Sequence, residues 1–117
     1  MKYLRVYTDD QGESHFEDVD VKLAPGSGQS DLSELIPATG VIFRRSPANQ
    51  FVDWHPAPRR QFVITLSGTA ELTTSDGEVR QIGPGSVVLV EDVTGKGHIT
   101  RGTGTEERLS LFVPLAG

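Results

Sequence analysis

The 117-residue sequence predicts an all-β domain, and three observations carry that prediction. Apolar and polar residues alternate with period two in segment after segment, as they do where successive side chains of a strand point to opposite faces. Clusters of Gly, Asp, Ser and Pro divide these segments at about the spacing of an antiparallel sandwich or barrel. Only one stretch, Ser30 to Ile36, offers the start and stop chemistry of a helical turn.

Taken in order, Tyr3 to Thr8 is the first predicted strand and Asp9-Asp10-Gln11-Gly12 the turn after it. Phe16 to Leu23 is the second. Ala24 to Thr39 is the most loop-like segment and is expected to be a flexible insertion. It opens on Ala24-Pro25-Gly26-Ser27-Gly28 and holds the helical turn, with Ser30 or Asp31 as its cap and Pro37 as its end. Gly40 to Arg45, Gln61 to Leu66 and Thr69 to Thr74 follow as strands, the last two joined by Ser67-Gly68. Ser75-Asp76-Gly77 leads into Glu78 to Ile82, and Gly83-Pro84-Gly85 leads into Ser86 to Val90. Arg108 to Val113 closes the set. Such clusters make turns because glycine takes positive φ without a Cβ clash, and proline presets its own φ.

Residues 1–117 are read as one domain, since a chain of this length with 36% hydrophobic content supports a single core. The formal charge of -5, with eleven Lys and Arg that form no single run, offers no footprint for a phosphate backbone. No nucleic acid partner is expected. Absence of cysteine excludes disulfides, a thiolate nucleophile and any cysteine zinc site. Met1 to Asp10 has no apolar stretch of signal-peptide length, and no segment approaches a membrane span. These features predict a soluble, cytoplasmic protein with no membrane partner.

Two stretches carry the functional reading. The first is "WHPAPRRQFVITLSG", residues 54 to 68, in which His55 precedes two prolines and Gln61 opens an apolar strand that ends at Gly68. The second runs from Gly85 to His98 and contains Gly95-Lys96-Gly97-His98. Both resemble the paired motifs of the cupin superfamily. His55 matches the first motif's first histidine and Gly68 its closing glycine, while Ala57 stands in place of the second histidine and Gln61 in place of the glutamate. In the second motif His98 matches, Val93 and Gly102 replace the proline and the asparagine, and Gly85 lies two residues too far upstream. Together with "GESHF" and "RLSLFVP", these segments extend the resemblance over nearly the whole chain, to a group of small single-domain cupins. It implies an antiparallel double-stranded β-helix, a jelly-roll barrel of six to eight strands.

The same resemblance implies a cavity site. Its residues are His55, Arg59, Gln61 and His98, and its ligand is a small polar or anionic molecule. Pro56 and Pro58 stiffen the entrance. If the stretch stays extended, His55, Ala57, Arg59 and Gln61 face one way and Arg60 the other, so Arg59 is the expected anion hook, with a guanidinium fork that fits carboxylate or phosphate. A surface salt bridge is the alternative for both arginines. The cupin ligand set of three histidines and one carboxylate suits a divalent transition metal (Fe, Mn, Ni or Zn). Here His55, His98 and Gln61 remain of it, and a carboxylate is sought in Glu91 or Asp92, with His15 as a further imidazole. For each, the plain alternative is a hydrogen-bonded interior histidine, a glutamine satisfying backbone, or a solvated carboxylate.

Three functions follow as expectations. The first is a small-molecule-binding cupin; the second is a metal-dependent oxygenase or isomerase using His55, His98 and a carboxylate. The third is a structural or regulatory module with a filled interior. A homodimer is expected from the apolar terminal strand Tyr3 to Tyr7, since pairing across a two-fold axis covers exposed sheet edges.

Overall fold

The computed structural model describes residues 1–117 and consists of strands, turns and one 3-10 turn at Ser27–Gln29. The strands are β1 (Lys2–Thr8), β2 (Ser14–Asp20), β3 (Ala24–Pro25), β4 (Asp31–Leu32), β5 (Ile42–Ser46) and β6 (Phe51–His55). They continue with β7 (Gln61–Ser67), β8 (Thr69–Thr74), β9 (Val79–Ile82), β10 (Val87–Val90), β11 (His98–Thr103) and β12 (Arg108–Pro114). A six-stranded sheet has the order β2-β1-β10-β7-β12-β5, and a four-stranded sheet has the order β6-β11-β8-β9. The all-β reading holds. No helix is long and apolar enough to cross a membrane.

Period-two alternation builds the space between the sheets. Leu4 and Val6 of β1, Val63 of β7, and Val88 and Val90 of β10 turn inward from the larger sheet, where they meet Leu72 and Ile82 of the smaller one. The β7–β8 corner is tight. Gly68 has φ +79, and a Cβ there would lie 2.7 Å from the Arg108 backbone, so only glycine fits the close approach.

Pairing is antiparallel throughout both sheets except at one place, where β1 lies parallel to β10 with Leu4 opposite Val88 and Val6 opposite Val90. β1 is therefore an interior strand, flanked by β2 and β10. It offers no free edge for the dimer contact expected of it. The free edges of this sheet are β2 and β5.

Three other expectations are corrected. β6 and β11 are strands that the periodicity did not mark, and β2 ends at Asp20 rather than reaching Leu23. The helical turn over Ser30 to Ile36 does not form; Asp31–Leu32 pairs with Ala24–Pro25 instead. The physical reason is burial. Every residue from Lys22 to Phe43 is exposed, so no apolar face is packed to hold a short helix that is marginal alone. This arm is tied to the body by backbone hydrogen bonds between Thr39 and Pro114 and between Ala116 and Pro37.

Candidate functional site

A cavity of about 250 Å³ lies between the sheets. Val52, Val63, Leu72, Val88, Val90 and Phe112 form its apolar walls, and His55, Ala57, Pro58, Gln61, His98, Thr100, Arg44 and Arg108 complete its lining. On β7, β10, β11 and β12 the lining residues share one parity, because side chains at i and i+2 share a face, whereas Val52 and His55 of β6 are three apart, across a register irregularity opposite Thr100 and His98.

His55 ends β6 and His98 opens β11, where the two are register partners. Their rings stand 4.5 Å apart, tilted by 55°. The backbone before His98 explains this closeness: Gly97 has φ +73, and a Cβ on it would lie 2.0 Å from the His55 carbonyl oxygen. Buried Ser14 pins the same turn by donating to the Gly97 carbonyl at 2.6 Å. His55 Nδ1 lies 2.8 Å from the Asp53 carbonyl oxygen, a contact in which the nitrogen donates.

Asp92 is wholly buried, with Oδ2 2.5 Å from His98 Nδ1. A carboxylate accepts, so Nδ1 donates and Nε2 is the nitrogen left for other contacts. Asp92 also holds the entrance stretch, since its carbonyl accepts from the Ala57 N–H at 2.9 Å. Gln61, only 2% exposed, opens β7, and its Oε1 accepts from Arg59 Nη1 at 3.3 Å.

The other expected site residues lie elsewhere. Arg59 is exposed and does not line the cavity; bends at Pro58 to Arg60 break the extended parity on which its placement rested, and Pro58, itself exposed, is the neighbour that borders the cavity. Glu91 points away from the cavity. Arg5 Nε reaches its Oε1 at 2.6 Å and Arg60 Nη2 its Oε2 at 2.6 Å. Burial raises the Glu91 carboxyl, yet hydrogen bonds from these two arginines outweigh it and hold the group below the usual carboxylate range. Strand parity is the reason: Val88, Val90 and Asp92 share the inward face, and Glu91 falls on the other. His15 sits between Asp9 and Asp76, at 2.7 and 2.9 Å, outside the cavity lining.

These positions test the metal set. No group of three or more His, Cys, Asp or Glu side chains is arranged to hold a metal ion. Two imidazoles and the neutral amide of Gln61 face the cavity, Glu91 is committed to arginines, and Asp92 is committed to the back of His98. That donor set does not fit the three-histidine, one-carboxylate arrangement, which needs a third imidazole and an anionic oxygen.

Two residues that the sequence reading did not select complete the site. Arg44 on β5 and Arg108 on β12 both line the cavity. Arg108 is 5% exposed, and its Nε and Nη1 have no hydrogen-bond partner. Arg44 lies over the Phe112 ring, 4.8 Å from its centroid. Burial lowers the affinity of both guanidiniums for their protons, and at Arg108 the charge of Arg44 adds to the effect. The missed signal was the alternation Arg108, Ser110, Phe112, which was legible as a face but not as the inner one.

No family model matches the chain, and no curated protein matches it. Among solved structures, the chain is similar to a conserved protein of unknown function from Streptococcus pyogenes, with 22% identity and a TM-score of 0.49. The match covers 67% of this chain and 66% of that one, so the chain spans just under two thirds of that protein's length.

Proposed function

We propose that this chain is a cupin, a double-stranded β-helix of the jelly-roll kind, whose interior binds a small polar or anionic molecule. The observation that carries the reading is the cavity of about 250 Å³ with His55, Gln61 and His98 turned into it between apolar walls. Apolar walls with a few convergent polar groups are the usual form of a small-molecule site. The open volume speaks against an interior filled by its own side chains. The metal-dependent reading lacks a third imidazole and a free carboxylate.

The chain acts as a homodimer in this reading, joined through the exposed arm and the β5 edge rather than through β1. Leu35 is 91% and Phe43 81% exposed, and Leu32, Ile36, Val41 and Ile42 are exposed beside them in sequence. A run of this kind marks an association surface.

A thermal-shift screen of small polar metabolites tests the cavity. Val63 lines it and is almost fully buried, so Val63→Phe fills volume that a ligand needs. Hits on the natural protein should be lost in this variant at equal fold stability. A screen whose hits all survive Val63→Phe would place binding elsewhere and overturn the reading.

A further inference from the structure

Arg108 has two buried donors without an acceptor, in a cavity that contains no free carboxylate. A buried, unpaired charge is costly, because the desolvation of the charged group is not offset by a partner. A folded chain that keeps such a group within reach of a cavity therefore points to a missing acceptor.

The register places a second guanidinium beside it. β5 and β12 are antiparallel, with Ser110 opposite Arg44 and Arg108 opposite Ser46. Arg44 and Arg108 are thus diagonal neighbours on one face, a spacing that long side chains span. Ser110 follows two residues after Arg108 on the same face, and its register partner on β7 is Thr65. Both hydroxyls are buried and without a partner. The two hydroxyls do not line the cavity; the two guanidiniums do, with no acid among the lining residues, and they are the donors offered to oxygen atoms that carry negative charge.

The opposite end of the cavity has a different character. Pro114, six residues beyond Arg108 on β12, is the register partner of Gln61 on β7, so the arginines and the Gln61–His98 group approach the cavity from opposite ends of the strands. Val63, Leu72, Val88 and Val90 lie among the walls.

We infer that the ligand is a compact organic oxyanion, whose carboxylate or phosphate head is held by Arg44 and Arg108 and whose apolar body lies against Val63, Leu72, Val88 and Val90. The inference rests on the cavity reading above and names the ligand class for it. Arg59, at the entrance, has no part in it. The fork geometry of guanidinium matches both carboxylate and phosphate oxygens.

Calorimetry with three probes tests this: benzoate, phenyl phosphate and the neutral benzamide. An oxyanion should bind at least tenfold more tightly than benzamide, and the better of benzoate and phenyl phosphate identifies the head. Arg108→Leu and Arg44→Leu should each weaken that oxyanion at least tenfold, while Arg59→Gln leaves it unchanged. Arg108→Lys keeps a charge without the fork and should also weaken it, which preserves the test if Arg108→Leu does not fold. Equal affinity for benzamide and the oxyanions, or full oxyanion affinity in both leucine variants, overturns the assignment. If benzamide binds as tightly as the oxyanions and Val63→Phe abolishes it, the cavity reading stands and the arginine assignment falls. If no probe binds, both fall.

Discussion

Asp92 decides what His98 presents to the cavity. By accepting from Nδ1 at 2.5 Å, its carboxylate fixes the tautomer and the ring plane, as carboxylates do behind metal-bound histidines. The pair is in place although the rest of a metal site is not, and this allows the missing parts to be supplied. Ala57 and Gln61 both line the cavity. In the doubly substituted Ala57→His, Gln61→Glu protein, three imidazoles and one carboxylate face the same space. This protein should gain stability with Mn(II) or Ni(II), by about 2.7 kcal/mol at one hundred times the dissociation constant, seen as a rise in melting temperature. His98→Ala added to it should remove the gain, and the natural protein should respond far less. An equal response of the natural protein would mean that its own residues already hold the ion.

At the scale of elements, two turns are joined by one imidazole. His15 near the start of β2 bridges Asp9, in the turn after β1, and Asp76, in the turn between β8 and β9, and so ties the two sheets together. Asp9 first, and then Asp76 against the effect of burial, raise the His15 affinity for its proton. A raised folded value means that protonated His15 stabilises the fold. Its contribution is fully present below the unfolded value near about 6.5 and is lost as pH rises through the higher folded value. Melting temperatures of the natural protein and of His15→Gln should therefore differ most near pH 5 to 6 and converge as pH rises above neutral. Parallel curves across that range would show that the bridge contributes nothing. Elements were also where the sequence was most legible. β1, β7, β8, β10 and β12 fall within a residue or two of their predicted bounds because tight glycine turns bracket alternating runs. β6 escaped because Asp53 and Trp54 are both exposed and blur the alternation. β11 escaped because Gly102 interrupts it, at a point where a Cβ would lie 2.3 Å from the Ala48 carbonyl oxygen.

The whole molecule shows why the site was only half legible. Alternation separates two faces of a strand but does not say which is inside; that depends on the sheet across the cavity. On β12, Arg108 and Ser110 are buried and Leu109 is exposed, the reverse of the pattern expected over an apolar core. His55, Gln61 and His98 were legible through a motif, whereas Arg44 and Arg108 are recognised only once the strands are paired. The arm belongs to this scale too. Its apolar residues should meet a second copy, so light scattering at micromolar concentration should give twice the chain mass. Leu35→Asp with Phe43→Asp should yield a folded monomer, because both side chains are exposed within one chain. A monomeric natural protein would remove the dimer.

The parallel contact of β1 with β10 also sets an order of events. Residues 4 to 6 cannot find residues 88 to 90 until more than two thirds of the chain has been synthesised, and closing a loop of that length costs entropy before any contact repays it. During synthesis the first hairpin, β1 with β2, therefore waits with the β1 edge open, and the larger sheet is completed late. Its exposure is a matter of timing rather than of the finished structure: a strand paired on both sides in the native sheet stays available for that interval to a chaperone, or to a neighbouring nascent chain, on the ribosome.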